Sequence, residues 1–350
     1  MQHLGGTLSK RGALATQKLE DTVRALLAPG KGLLAADESL PTIEKRFQAL
    51  GIESSLPARR AYRELLFSAP DCQSALSGVI LFDETLRDSA SDGMPFPLLL
   101  AQKGIVPGIK VDAGAHQLAF FPGEKVTEGL DGLRERLAEY GALGARFAKW
   151  RAVITIGDGI PTLAGLEANA HALARYAALC QEADIVPIVE PEVLMDGNHT
   201  IQHCEEVTEA TLRATFAALS AAGVLLEGML LKPNMVLPGH DAPQNVSVEE
   251  VARRTIQTLR RAVPAAVAGI VFLSGGQNDR EATARLNAMN STGETLPWQL
   301  SFSFARALQD EAMKTWKGEA GNIEQAQAAF VHRLRLNSAA RSGHYSASME

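Results

Sequence analysis

Apolar runs of strand length recur along the chain, and most of them end on a polar or charged residue. Gly32–Ala36 stops at Asp37, Gly78–Phe82 at Asp83, Ile105–Ile109 at Lys110 and Ala145–Ala148 at Lys149. Ile185–Val189 stops at Glu190, Gly228–Leu231 at Lys232 and Gly269–Leu273 at Ser274, while Trp298–Phe302 leads into Ser303. Longer segments with helical apolar spacing lie between them, among them Leu163–Glu182, Glu205–Ala222, Val248–Ala262 and Glu281–Met289. Strands that are apolar throughout belong to a parallel sheet covered on both faces, and about eight βα units is the count that closes a (β/α)8, or TIM, barrel. The pattern therefore predicts an α/β fold, a single TIM barrel, with a doubly wound open sheet as its competitor. A barrel adds a requirement the open sheet lacks: the groups that end the runs must converge on one mouth.

Composition narrows the function classes. The 350 residues carry 34 Lys+Arg against 40 Asp+Glu, a net charge of −6, which argues against a nucleic-acid partner. With 46% hydrophobic and 21% charged residues, the chain is neither disordered nor fibrous. Cys72, Cys180 and Cys204 are widely spaced and make neither a disulfide framework nor a CxxC knuckle, so a reducing, cytoplasmic setting is expected. The segment Met1–Arg11 has no apolar stretch of signal-peptide type. Residues 1–15 are expected to be a flexible lead-in, 16–340 the barrel and 341–350 a short tail. The longest uncharged stretch, Ala262–Asn278, is broken by Pro264, Gly269, Gly275 and Gly276, so no membrane span is expected.

The run ends carry the candidate chemistry. Lys232 precedes Pro233, which has no N–H and stops the strand ladder there. A lysine of ordinary pKa, about 10.4, is neutral in roughly one molecule in 2,500 at pH 7, so a nucleophilic lysine needs burial or a neighbouring cation. Lys149 could be that cation; Lys232 alone could equally be a rim lysine. Glu190 and Glu192 sit in Val189-Glu190-Pro191-Glu192, an apolar run stopped by proline, and their spacing of two points both the same way if the strand continues. Such a pair can shuttle protons or can simply pair with rim cations. Asp37-Glu38-Ser39 follows the first run, where Asp37 or Ser39 could also cap a helix starting near Thr42. Ser274-Gly275-Gly276-Gln277 links a strand to a helix where barrels often hold phosphate, and Ser303 and Arg306 could add donors to the same anion.

Other signals are weaker. His199 and His203, four apart on an expected helix beside Cys204, lack a third metal ligand and read as surface or capping histidines. There is no GxxxxGK[ST] loop, and Gly157-Asp158-Gly159 lacks the third glycine of a dinucleotide fingerprint. No metal and no cofactor are expected. A candidate lysine nucleophile, paired acids and two cationic clusters describe Schiff-base chemistry on a phosphorylated carbonyl compound.

From about Leu19 to Tyr345 the sequence resembles class I fructose-1,6-bisphosphate aldolase. The matching segments are Ala28–Ser39, Gly108–Asp112, Phe147–Arg151, Ile185–Glu192, Leu230–Val236 and Leu273–Gln277. The resemblance implies a TIM barrel, a homotetramer, and reversible cleavage of a sugar bisphosphate to dihydroxyacetone phosphate and glyceraldehyde 3-phosphate in glycolysis and gluconeogenesis. It implies Lys232 as Schiff-base lysine, Glu190 as main proton carrier, Asp37 as acceptor of the C4 hydroxyl proton, Lys149 as tuning group and Glu192 as supporting acid. One phosphate would meet Ser274, Gly275, Gly276, Ser303 and Arg306; the other would meet Arg46, Ser39 and Lys110, with Arg151 also a substrate-binding residue. Asp131 would be a subunit-interface candidate.

Three departures modify this expectation. Ser39-Leu40-Pro41 replaces the family's Ser-Thr-Gly and stiffens one phosphate loop, and Phe304-Ala305-Arg306 replaces Tyr-Gly-Arg and adds a methyl near the other. The familiar terminal tyrosine has no counterpart, since the last tyrosine is Tyr345, so enamine protonation is expected to be slower or to rely more on Glu190 or water. A Schiff-base aldolase preferring fructose 1-phosphate or a seven-carbon bisphosphate, and a non-catalytic scaffold on the same fold, are the alternatives.

Overall fold

The structure, a computed structural model, describes residues 10–350. Of the lead-in expected over residues 1–15, residues 1–9 lie outside the described residues, and the first helix, Lys10–Leu26, begins within that stretch. Ten strands follow in chain order: β1 (Gly32–Ala36), β2 (Leu76–Leu81), β3 (Val106–Lys110), β4 (Gly114–Gln117), β5 (Lys125–Glu128), β6 (Phe147–Ile154), β7 (Val186–Val193), β8 (Leu230–Leu231), β9 (Gly269–Phe272) and β10 (Gln299–Phe304). Eight of them close a parallel barrel in the order β1-β2-β3-β6-β7-β8-β9-β10, with β10 returning to β1. The open sheet is thereby set aside. Each of the eight runs read from the sequence overlaps one barrel strand.

Strand pleating decides which residues look inward. Leu33, Ala35, Ile80, Phe147, Val186, Ile188, Leu230 and Val271 form an inner cluster, closed from below by Leu19, Val23, Leu26 and Leu27 at the first helix. Residues of the other parity, such as Leu34, Ala36, Ala148, Val189 and Leu231, join the larger cluster between the strands and the surrounding helices. Stepping two residues upward from the inner cluster leads from Ala35 to Asp37, Phe147 to Lys149, Ile188 to Glu190 and Leu230 to Lys232. The inner face thus changes from hydrocarbon to ions within one pleat.

Two strands are longer than the apolar runs. β6 does not stop at Lys149 but continues to Ile154, and β7 runs through Pro191 to Val193. The proline is tolerated because of which neighbour it faces. In β7 the odd-numbered residues turn their backbone groups toward β8: Val189 O accepts from Lys232 N at 2.8 Å, and Val193 N donates to the Asn234 side chain at 3.0 Å. β8 is two residues long and pairs only with Ile188 and Val189 in β7, so Pro187 and Pro191 forfeit no ladder bond. The antiparallel hairpin of β4 and β5 is an insertion in the third βα connection, and no apolar run announced it.

Candidate active site

At the C-terminal ends of the strands lies a cavity of about 320 Å³ lined by residues from seven of the eight barrel units. Asp37 and Ser39 reach it from the β1 end, Lys110 from β3, Lys149 and Arg151 from β6, and Glu190 and Glu192 from β7. Lys232, Ser274 with Gly275, and Ser303 with Arg306 follow β8, β9 and β10 respectively. A larger cleft of about 860 Å³ between the helices Val248–Ala262 and Asp279–Asn290 lies outside the barrel and contains none of these groups. Tyr345 lines that outer cleft and donates its hydroxyl to Glu350 at 2.8 Å, so it takes no part in the cavity at the mouth.

The centre of the cavity is a chain of buried charges. Lys149 Nζ is 2.7 Å from Asp37 Oδ2 and 3.2 Å from Glu190 Oε2, and Lys232 Nζ is 3.1 Å from Glu190 Oε1. Burial by itself would push both carboxyls up, but Lys149 and Lys232 outweigh it and hold Glu190 below the usual carboxylate range. The same two lysines, with Lys110, hold Asp37 down at about 2. Burial works against a charged Lys149 too, yet Asp37 and Glu190 raise its pKa above the ordinary lysine value. Lys149 is therefore a fixed cation and Asp37 and Glu190 are anions at neutral pH. Glu190 Oε2 makes no aligned hydrogen bond despite its proximity to Lys149, which leaves it a free lone pair inside the cavity.

Around this centre the cations divide into engaged and free. Glu192 pairs with Arg151, and Lys110 pairs with Asp112, which also accepts from Arg151 N at 3.2 Å. Asp112 follows Lys110 at the same spacing of two, so the sequence itself carries the signal that places it at the mouth. On the opposite side, Ser303 Oγ is buried without a hydrogen-bond partner and Arg306 has no carboxylate partner among the described residues. These unspent donors meet Ser274 and Gly275 at the N-terminus of the helix Arg306–Trp316, a setting that favours an anion.

Two expected site residues do not line the cavity. Arg46 is clasped by Glu38 and by Asp310 at 2.9 Å, and Glu38 is itself shared with Arg63 at 2.8 Å. Gly276 lies behind Gly275, where an added Cβ would stand 3.0 Å from His240 Nε2 and 3.5 Å from Arg306 Nη2. Ser39 starts the helix Leu40–Gln48, but its Oγ faces Thr42 Oγ1 at 3.0 Å and caps no backbone N–H. His199 and His203 do not share a helix: His199 is buried ahead of the N-cap Thr200, and His203 pairs with Glu206. Among the described residues no group of three His, Cys, Asp or Glu side chains is placed to hold a metal ion.

Fold and cavity together define a class, the (β/α)8 enzymes that set a buried amine between carboxylates for carbonyl chemistry on anionic substrates. Comparison with known proteins narrows this. A family model described as fructose-bisphosphate aldolase class-I matches residues 18–350, and the chain belongs to that family. It is 56% identical over 331 residues to "Probable fructose-bisphosphate aldolase class 1" of Xanthomonas campestris, covering 94% of this chain and 99% of that protein. It is 53% identical over 334 residues to "Fructose-bisphosphate aldolase 6, cytosolic" of Arabidopsis thaliana, covering 94% and 93%. Among solved structures, fructose-bisphosphate aldolase from Plasmodium falciparum, in complex with TRAP and a small-molecule inhibitor, superposes with a TM-score of 0.94 at 46% identity, covering 95% and 96%.

Proposed function

We propose that the protein is a class I fructose-bisphosphate aldolase, a carbon–carbon lyase (EC 4.1.2.13) that reversibly cleaves fructose 1,6-bisphosphate through a lysine Schiff base. The observation that carries this is the Lys232–Glu190–Lys149–Asp37 chain of contacts at the barrel mouth. Lys232 Nζ attacks the C2 carbonyl, with Glu190 Oε1 at 3.1 Å placed to take its proton, and loss of water leaves an iminium. The iminium draws the electron pair of the C3–C4 bond, Asp37 accepts the C4 hydroxyl proton, and glyceraldehyde 3-phosphate departs, leaving an enamine. Glu190 returns a proton to C3 and water releases dihydroxyacetone phosphate. Lys149 holds both acids in their ionised form, and Glu192 orients Arg151 toward the substrate.

Leu273 N donates to Pro233 O at 3.1 Å, which seats the Ser274 loop next to Lys232. A phosphate held by Ser274, Gly275, Ser303 and Arg306 thus belongs to the half that forms the imine. Lys110, Ser39 and Arg46 serve the other phosphate, Arg46 on release from Glu38. The barrel extends over residues 16–340 and assembles as a homotetramer in the cytoplasm, with Asp131, exposed ahead of the helix Leu133–Ala142, in an interface. Among the described residues no helix is long and apolar enough to cross a membrane.

Borohydride reduction with dihydroxyacetone phosphate, followed by peptide mapping, tests this reading. The label is expected on Lys232 and is lost in Lys232→Met; label on another lysine, or activity abolished by EDTA, overturns the mechanism. A kcat/KM for fructose 1-phosphate above that for the bisphosphate would favour the alternative substrate.

A further inference from the structure

Gln277 and Arg285 stand behind the Ser274 loop, outside the cavity wall. Gly275 and Gly276 take left-handed φ values of 57° and 91°, so the chain doubles back at once. The turn is closed by Gln277 twice over: its backbone N donates to Ser274 O at 3.0 Å and its side-chain Nε2 donates to the same oxygen at 2.9 Å. Arg285, one helical segment further along, donates from Nη1 to Gln277 Oε1 at 2.8 Å. A guanidinium only donates, so it forces the amide oxygen of Gln277 toward itself and the amide nitrogen toward Ser274 O.

Arg285 is an unusual occupant of this position. Its side chain is 11% exposed, its Nε has no partner, and its one carboxylate neighbour is Glu281 at 3.5 Å. Burial holds its pKa below the ordinary arginine value. A buried cation kept under such conditions needs a reason, and Gln277 supplies one.

We infer that Arg285 is a positioning residue for the phosphate subsite: by fixing the orientation of the Gln277 amide it clamps the Ser274 carbonyl backward, so that the Gly275 N–H of the same peptide faces the cavity. The peptide is planar and trans, so its C=O and N–H point in opposite directions, and holding one aims the other. Both Ser274 and Gly275 line the cavity, in which Ser303 Oγ and Arg306 are already free to bind an anion. The inference rests on the aldolase reading above and adds a residue that never touches substrate.

The experiment compares dihydroxyacetone phosphate with dihydroxyacetone as probes for borohydride trapping at Lys232, measuring the concentration that gives half-maximal label. In Arg285→Met that concentration rises about tenfold for the phosphorylated probe, the loss expected when one or two good hydrogen bonds to a charged group are misaimed. It stays unchanged for dihydroxyacetone, as does the maximal extent of labelling. Arg285→Lys keeps a donor facing Gln277 Oε1 and brings the value back to within about twofold of the parent. Gln277→Glu keeps the acceptor for Arg285 but replaces the donor to Ser274 O with an oxygen, and reproduces the phosphate-specific loss with the cation in place. An equal shift for both probes, or no shift for dihydroxyacetone phosphate, overturns the positioning role. Failure of the parent protein to be labelled at Lys232 would instead remove the aldolase reading beneath it.

Discussion

Lys149 shows how much one residue in this site carries. It contacts Asp37 and Glu190 while buried, so its charge compensates two anions that have no water to turn to. Replacing it by methionine keeps an unbranched side chain one atom shorter, and leaves Lys232 beside Glu190 with Lys232 and Lys110 as the cations acting on Asp37. Breaking a buried pair from one side costs about 3–5 kcal/mol, and Lys149→Met is expected to lose stability of that order in urea unfolding. Both acids then drift toward protonation; in the proposed mechanism a protonated Asp37 would accept no proton from the C4 hydroxyl, so kcat is expected to fall by about 10²-fold or more. A variant with parent-like kcat would show that Lys149 only supports the fold. Arg46 makes the contrasting case: its two carboxylate partners already neutralise it, so its charge is available to substrate only at the expense of Glu38 or Asp310.

The strands place these residues through one repeated device, an inward position two residues above the inner apolar cluster. That cluster is tightly filled at Phe147, whose ring occupies the space a side chain on Gly108 would need. A Cβ on Gly108 would stand 2.3 Å from the ring. Gly108→Ala is therefore expected to destabilise the barrel by about 1–3 kcal/mol through overpacking. Gly108 also lies on the face of β3 that ends in Lys110, so part of the strain should reach substrate binding. A rise in KM with little change in kcat would mark that displacement, whereas an unchanged Tm would show that Phe147 moves aside freely.

The period of two made the inward face legible from the chain alone, because Asp37, Lys149, Glu190 and Lys232 each follow an apolar run at the right parity. The lengths of β6 and β7 were not legible. A proline normally ends a ladder, and only the shortness of β8 makes Pro191 harmless. Nor did the sequence announce the hairpin of β4 and β5, whose residues Gly114–Gln117 and Lys125–Glu128 lack an apolar face. Arg285 and Gln277 meet through a turn and a helix, and no local pattern encodes a contact of that kind.

For the whole molecule, the net charge of −6 conceals a local balance in which anions and cations are buried together at one end of the barrel. That balance links stability to pH. Asp37 has a folded pKa of about 2 against 3.8 for an ordinary aspartate, so between those values the native state binds fewer protons than the unfolded chain. Its contribution, about 2 kcal/mol, is complete above about pH 4 and is lost as the pH falls through that window. Glu190 and Glu38, both lowered by lysine or arginine neighbours against the effect of burial, act with the same sign. Partly exposed Glu250 is also lowered, by hydrogen bonds from Arg253 and Arg254, but solvent screens that pair and its share is small. Acid unfolding is thus expected to begin at the barrel mouth. Urea unfolding followed from about pH 5 to pH 3 should show the free energy falling steadily, and Asp37→Asn should fall less steeply because it has no carboxylate to protonate at that position. Parallel slopes for the two proteins would show that other carboxylates, not Asp37, govern the acid limit. The same variant should lose activity at neutral pH, where its fold is intact, so that the group stabilising the mouth against acid and the group accepting the substrate's proton are tested in one molecule.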